Sequence, residues 1–172
     1  MKKMLIFAIL MLFAISCTVK SEKILKHRGQ TIYFHTYKRK IKGNDTIIYG
    51  NLIKNTVINS VPCKKGWIRL KNGELSLFSV SESIEFENIV VPSGSWVINN
   101  CENTSIVYPC NRIICDFPVK GGGGQKGTRT VFDKSGKLKM FFPSTGFEHE
   151  GRIYKKSLRK PVKISPNGKL SQ

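Results

Sequence analysis

Apolar and polar residues alternate most regularly over residues 66–78, and this pattern predicts a β-hairpin. Asn72-Gly73 suits a two-residue type I′ turn, because both central residues need a positive φ, which asparagine tolerates and glycine adopts freely. Folding about this turn predicts the cross-strand pairs Lys71 with Glu74, Leu70 with Leu75, Ile68 with Leu77 and Trp67 with Phe78. One face of the hairpin would then pack on a core through Ile68, Leu70, Leu75 and Leu77.

Weaker copies of this hairpin recur along the chain. Turns are expected near positions 73, 104, 136 and 168, the second at Asn103-Thr104, which gives four units of roughly 31 residues each. The turns at 133–136 and 165–168 favour type I turns closed by a glycine bulge, with Phe132 opposite Leu138 and Ile164 opposite Leu170. The pattern therefore predicts an all-β domain over residues 31–172, in which the hairpins form a meandering antiparallel sheet or a solenoid.

The first 16 residues have the parts of an export signal. Lys2 and Lys3 precede an apolar run over residues 4–15, and small residues follow before Cys17. The run is shorter than the about 20 residues that a membrane-spanning helix needs, so we expect a signal-peptide helix over residues 1–16. Residues 17–30 are polar and basic, and they predict a flexible tether whose cations can lie against anionic head groups.

The cleavage site Ala14-Ile15-Ser16-Cys17 resembles the lipobox of bacterial prolipoproteins. The resemblance implies a diacylglycerol on Cys17, cleavage before this residue and acylation of the new N-terminus, so that the bilayer is a partner through an acyl anchor. Thr18 stands where an aspartate commonly retains such proteins in the inner membrane, which favours the outer membrane. Ala14 and Ser16 also fit ordinary signal-peptidase cleavage at the same bond, which would give a secreted protein.

The hairpin turns carry a second resemblance. They are similar to bacterial repeat proteins with an Asn-Gly-x-Leu motif, including MORN-like hairpin repeats in envelope lipoproteins and in some antitoxin-like proteins. Such families share no catalytic residues, so the resemblance implies neither a catalytic site nor a cofactor. The similarity is carried by Asn72-Gly73-Glu74-Leu75, Ser135-Gly136-Lys137-Leu138 and Asn167-Gly168-Lys169-Leu170.

The charge of the chain points to anionic partners. The formal net charge is +18, and the last strands carry cations with no acid between them. An anionic glycan or another envelope protein could bind there, although a charged terminal hairpin that protects the sheet edge would have the same composition. A basic motif interleaved with aromatic residues, typical of nucleic-acid modules, is missing from the sequence, so nucleic acid is not an expected partner. The candidate polyanion-binding residues are Arg152, Lys155, Lys156, Arg159, Lys160 and Lys163.

Four cysteines follow Cys17, an even number in an exported chain. Two disulfides with three possible connectivities are one interpretation, and four reduced cysteines that fill the core are the other. Their spacing lacks paired CxxC elements and the histidines are scattered, so we expect no metal site. The four residues are Cys63, Cys101, Cys110 and Cys115.

Catalytic motifs are missing from the sequence. The glycines at 121–124 lack the spacing of a phosphate loop, and His149-Glu150 is not the pair of a zinc protease. The leading hypothesis is a non-enzymatic structural or binding component of the cell envelope. One alternative is a surface-exposed binder of anionic glycans or host matrix, and another is a cysteine-dependent envelope enzyme, which requires a thiol of unusual reactivity.

Overall fold

Alternating apolar residues and closely spaced turns make nearly all of the described chain form strands. This computed structural model describes residues 23–172. In chain order the strands are β1 (Lys23–His27), β2 (Gln30–Lys42), β3 (Asp45–Leu52), β4 (Thr56–Ile58), β5 (Val61–Cys63), β6 (Gly66–Lys71), β7 (Glu74–Ser79), β8 (Ile84–Phe86), β9 (Ile89–Val91), β10 (Trp96–Asn99), β11 (Asn103–Val107), β12 (Arg112–Ile114), β13 (Phe117–Val119), β14 (Thr130–Asp133), β15 (Leu138–Phe141), β16 (Phe147–His149), β17 (Arg152–Tyr154), β18 (Val162–Ile164) and β19 (Leu170–Ser171). A single 3-10 turn, Gly124–Lys126, interrupts them within these residues.

Eleven of these strands form one antiparallel sheet, which confirms the predicted all-β fold. Their order across the sheet is β1-β2-β3-β6-β7-β10-β11-β14-β15-β18-β19, so the strands of the sheet follow the order of the chain. The other eight strands pair as the short hairpins β4–β5, β8–β9, β12–β13 and β16–β17. Each short hairpin precedes a hairpin of the large sheet.

The core lies between the short hairpins and one face of the large sheet. Ile58 and Ile89 from the short hairpins share one buried cluster with Ile68 and Phe141 from the sheet. The ring of Phe117 on β13 stacks on that of Phe141, with 5.0 Å between the ring centroids. A single two-stranded hairpin is marginal in water, and this shared burial provides the stability that each hairpin lacks alone.

The short hairpins close with two-residue turns in which both residues have a positive φ. These turns are Asn59-Ser60, Glu87-Asn88, Cys115-Asp116 and Glu150-Gly151. The geometry is that of a type I′ turn, which suits the right-handed twist of the flanking strands. Glu87 and Cys115 are unusual in this conformation, so the residue types at these turns give little signal for a hairpin.

The central hairpin has the predicted turn and the predicted first two pairs. Lys71 lies opposite Glu74 and Leu70 lies opposite Leu75. The next two predicted pairs are wrong, because Ser76 is an extra residue that places Leu77 opposite Arg69. Such a bulge inverts the alternation beyond it, so the side chain of Phe78 enters the core and that of Leu77 leaves it.

Two other predicted registers are confirmed, and one predicted turn is wrong. Phe132 pairs with Leu138 and Ile164 pairs with Leu170, behind turns closed by Gly136 and Gly168. The turn expected at Asn103-Thr104 lies instead at residues 100–102. The Asn100 Oδ1 accepts hydrogen bonds from the backbone N–H groups of Glu102 and Asn103, a local turn that competes with strand pairing.

The flexible tether predicted for residues 17–30 is wrong for residues 23–30, which belong to the sheet. Leu25 of β1 pairs with Ile32 and packs against the core. Arg28 also donates a hydrogen bond of 2.5 Å to Glu74. The alternation of apolar and polar residues in β1 is short, and lysines lie within it. The composition of this segment therefore suggests a tether.

The predicted signal-peptide helix over residues 1–16 and the lipidation site Cys17 lie outside the described residues. Among residues 23–172, the structure contains no helix with the length and apolar character that crossing a membrane requires.

Candidate functional site

A basic pocket lies at the C-terminal end of the sheet, where β17 and the loop that follows it meet β19. Its volume is about 520 Å³. Its lining includes the cations Arg152, Lys155, Lys156 and Lys160, and no acidic side chain among the described residues lines it. We refer to this cavity as the basic pocket.

Hydrogen bonds to the backbone hold the loop that forms the rim of the basic pocket. The side chain of Gln172 accepts from the Lys155 N–H at 3.0 Å and donates to the Lys155 carbonyl at 2.7 Å. The Ser157 Oγ accepts from the backbone N–H groups of Arg159 and Lys160, at 3.2 and 2.7 Å. The exposed lysines of the pocket therefore belong to a segment that hydrogen bonds hold in place.

The floor of the basic pocket is aromatic. Tyr154 is 6% exposed, and its hydroxyl donates to the Leu170 carbonyl at 3.3 Å. Its ring stacks on that of Phe147, with 5.0 Å between the centroids. A rigid apolar floor under a cationic rim suits a ligand with both apolar surface and negative charge.

The structure brings four of the six predicted polyanion-binding residues together. Arg159 and Lys163 do not line the basic pocket, although both are exposed. Lys163 belongs to β18 and pairs with Met140, which separates it from the loop lysines. None of the six takes part in the four ion pairs between described residues, so no acidic side chain within residues 23–172 forms an ion pair with a cation of the pocket.

The four predicted disulfide cysteines are free thiols and have different environments. Cys63 is fully buried, and burial raises the pKa of its thiol to about 12, so the thiol stays protonated at neutral pH. Cys101, Cys110 and Cys115 are exposed. Cys63 is therefore the one of the four that fills the core. Oxidation of these thiols to disulfides in the exported protein stays a prediction.

A second cavity opens between β7 and β10, and sequence reasoning missed it. The ladder between these strands ends at Leu77 and Ile98, although β7 begins three residues earlier at Glu74. The strands separate beyond this point and leave a cleft of about 730 Å³, which we call the wedge. The bulge at Ser76 directly adjoins the point where this pairing ends, and a serine gives no sequence signal for a bulge.

The bulge also fixes an arginine in the wall of the wedge. The Arg69 Nε donates to the Ser76 Oγ at 2.8 Å, and the Arg69 Nη2 donates to the Ser76 carbonyl at 3.3 Å. The Ser76 Oγ in turn donates to the Arg69 carbonyl at 3.1 Å. The side-chain hydrogen bonds between Arg69 and Ser76 therefore connect β6 to β7.

Two lysines that line the wedge are paired with carboxylates. The Lys71 Nζ lies 2.8 Å from the Asp45 Oδ2, and this hydrogen bond lowers the pKa of the Asp45 carboxyl. The Lys134 Nζ lies 2.9 Å from the Glu87 Oε1. These pairs leave the wedge less basic than the number of its cations suggests.

Comparison with known proteins does not identify the chain. No protein family, curated protein sequence or solved structure matches it. Within residues 23–172, no three histidine, cysteine or acidic side chains are grouped so that they could hold a metal ion.

Proposed function

We propose that this protein is a non-enzymatic binding component of the bacterial cell envelope, which captures an anionic glycan in the basic pocket. The observation that carries the proposal is the grouping of Arg152, Lys155, Lys156 and Lys160 around one cavity whose described lining residues include no acid. Repeated carboxylate or sulfate groups along a glycan can contact several of these cations at once, so binding should weaken as salt rises.

The envelope location is supported by the N-terminal sequence. Lys2, Lys3 and the apolar run before Cys17 favour export, and the lipobox-like residues 14–17 favour an acyl anchor on Cys17. The residue after Cys17 is threonine, which favours the outer membrane. Without lipidation, the same cleavage would give a secreted protein.

Heparin-affinity chromatography tests the binding role. A variant in which Arg152, Lys155, Lys156 and Lys160 are changed to glutamine should elute at lower salt than the unmodified protein. The matched control replaces three other exposed lysines and one exposed arginine that line neither cavity: Lys38, Arg39, Lys40 and Lys64.

The control variant has the same net charge as the test variant, so the comparison separates location from total charge. The proposal expects the control to elute close to the unmodified protein. Equal loss of retention in both variants would show that heparin responds to net charge alone, and the basic pocket would not be the site.

We also propose that the chain contains four repeated units of about 31 residues, as the resemblance to MORN-like hairpin repeats suggests. Each unit would comprise one short hairpin and the next hairpin of the large sheet. Short hairpins and hairpins of the large sheet alternate along the chain, which supports this division. The units would begin at Thr56, Ile84, Arg112 and Phe147.

Deletion variants of equal length test the repeat proposal. Removing residues 84–111, one complete unit, should leave a folded protein with the circular dichroism spectrum of a β-sheet, because β7 could then pair with β14. Removing residues 101–128, which has the same length but takes β11 and leaves β10, should abolish cooperative unfolding, because an odd number of strands reverses every later strand of the sheet. The repeat interpretation fails if the complete-unit deletion unfolds as readily as the deletion that crosses units.

A further inference from the structure

The wedge between β7 and β10 has the features of a ligand site that is separate from the basic pocket. The two cavities share no lining residue. Its volume of about 730 Å³ falls within the range of roughly 300–1,000 Å³ that is typical of small-molecule sites. We propose that the wedge binds an acidic sugar, whose carboxylate contacts Arg69 and whose hydroxyl groups contact the side chain of Asn100 in the β10–β11 turn.

Arg69 is held in place for an incoming carboxylate. Ser76 is 5% exposed and accepts from both Nε and Nη2 of Arg69, so the guanidinium plane is fixed before a ligand arrives. The Nη1 group has no hydrogen-bond partner among the described residues. A guanidinium presents its donors in a planar fork that matches a carboxylate, and a fixed fork loses little entropy on binding.

The remaining charges of the wedge favour a ligand with a single negative charge. Lys71 is paired with Asp45 and Lys134 is paired with Glu87, so neither needs an external anion. Arg69 and the exposed Lys42 are the lining cations outside the ion pairs of residues 23–172. A highly charged phosphate ester would also meet the carboxylates of Asp45 and Glu74, which line the same cleft.

The rest of the lining suits a sugar ring. The Asn100 Oδ1 is occupied by the N–H groups of Glu102 and Asn103, which orients the amide and leaves its Nδ2 as a donor. Ile47 and Leu75 add apolar surface, whereas the neighbouring Asn99 side chain accepts hydrogen bonds from Thr104 and Lys134. Amide donors beside apolar groups match the hydroxyl groups and the C–H faces of a sugar.

Cys101 provides a built-in probe, because it lines the wedge and its thiol is exposed. The experiment measures the rate at which iodoacetamide alkylates each cysteine of the full chain, by mass spectrometry of peptides. Glucuronate is the probe ligand, glucose is its neutral counterpart, and inorganic phosphate is a simple anion. Cys110 and Cys115 are exposed outside the wedge and serve as internal controls.

The proposal predicts that glucuronate slows alkylation of Cys101 roughly fourfold at a concentration three times its Kd, and leaves Cys110 and Cys115 unchanged. Glucose and phosphate should give no such protection. Equal protection by glucose would indicate a neutral-sugar site, and equal protection by phosphate would indicate a general anion site. Either result, or the lack of protection by glucuronate, would overturn the proposal.

Variants then locate the interaction. Arg69→Lys keeps the charge but removes the planar fork. About ten times more glucuronate should then be needed to slow alkylation of Cys101 to the same extent. Because this change also affects Ser76, Asn100→Ser provides a second variant in the same wall, with weaker protection again expected. Lys156→Gln in the basic pocket should leave protection of Cys101 intact.

The heparin experiment and the alkylation experiment can fail independently. Loss of heparin retention in the basic-pocket variant with Cys101 protection intact would support both sites. Unchanged protection in Arg69→Lys and Asn100→Ser would overturn the assignment of the wedge and leave the basic pocket unaffected.

Discussion

Glu87, in the turn of a short hairpin, forms an ion pair with Lys134, in a turn of the large sheet. The Lys134 Nζ lies 2.9 and 3.1 Å from the two carboxylate oxygens of Glu87. The fully buried Thr104 donates a hydrogen bond to the same carboxylate, and Lys134 also donates to Asn99. Three hairpins, β8–β9, β10–β11 and β14–β15, therefore meet at one carboxylate, which joins the two layers of the fold.

Removing the charge of Glu87 should destabilise the protein. Glu87→Gln leaves the half-buried Lys134 ammonium without its counter-ion, and we expect a loss of about 1–2 kcal/mol in the free energy of unfolding, measured in urea. Glu74→Gln is the control, because its pair with Arg28 is exposed and should contribute less than about 1 kcal/mol. An equal cost for both variants would show that the Glu87 cluster does not join the layers.

Gly50 is required because β3 passes close to a core ring. A Cβ at this position would lie 2.2 Å from the Cε1 of Phe34, whose side chain is fully buried. Gly50→Ala should therefore cost about 1–3 kcal/mol in the free energy of unfolding. Gly146→Ala is the matched control, since its Cβ would meet nothing closer than the Tyr154 carbonyl at 3.5 Å. Thermal unfolding of both variants checks this, and similar midpoints would contradict it.

The stability of the protein should depend on pH through Asp133. The hydrogen bond from the Ser135 hydroxyl, with support from the backbone N–H groups of Ser135 and Lys137, lowers the pKa of the Asp133 carboxyl below its ordinary value. A group whose pKa is lower in the folded state stabilises the protein above its unfolded pKa. That contribution is lost as the pH falls from about 4 through the folded pKa.

Asp133→Asn keeps a hydrogen-bond acceptor but cannot titrate. Below about pH 4, its urea midpoint should fall less steeply with decreasing pH than that of the unmodified protein. Parallel pH profiles for the two proteins would contradict the assignment to Asp133.

The proposed lipid anchor is tested by the intact mass of the mature protein from a detergent-extracted membrane fraction of the cells that produce it. We expect cleavage before Cys17 and added mass for three acyl chains. Cys17→Ala should remove this mass and shift the protein to the soluble fraction. An unlipidated chain that begins at Cys17, or an uncleaved chain, would contradict the lipoprotein proposal.

The sequence predicts the hairpins best where one local signal decides the structure. Asn72-Gly73 admits few conformations other than the observed turn, and the pair Phe132–Leu138 follows from a turn closed by Gly136. Beyond Leu75 the sequence does not decide which side chain faces the core, because Leu77 and Phe78 are both apolar. The bulge at Ser76 decides which of them enters the core, and it depends on a hydrogen bond to Arg69 from the neighbouring strand.

The sites are less predictable than the strands because they depend on tertiary placement. The cations at 152–160 are close in sequence, which predicts part of the basic pocket, but the strand pairing of Lys163 excludes it. The wedge has no local signal, since its walls come from segments between Lys42 and Lys134. The short hairpins escape prediction because Glu87 and Cys115 adopt a backbone conformation that their residue types rarely choose.

Lysine acetylation footprinting tests the binding of a polyanion in the basic pocket most directly. The labelling rate of each lysine is measured by mass spectrometry with and without a heparin oligosaccharide. We predict that labelling of Lys155, Lys156 and Lys160 slows roughly fourfold at a concentration three times the Kd, while Lys38 and Lys64 are labelled at unchanged rates. Uniform slowing of all lysines, or no slowing at the basic pocket, would contradict the proposed function.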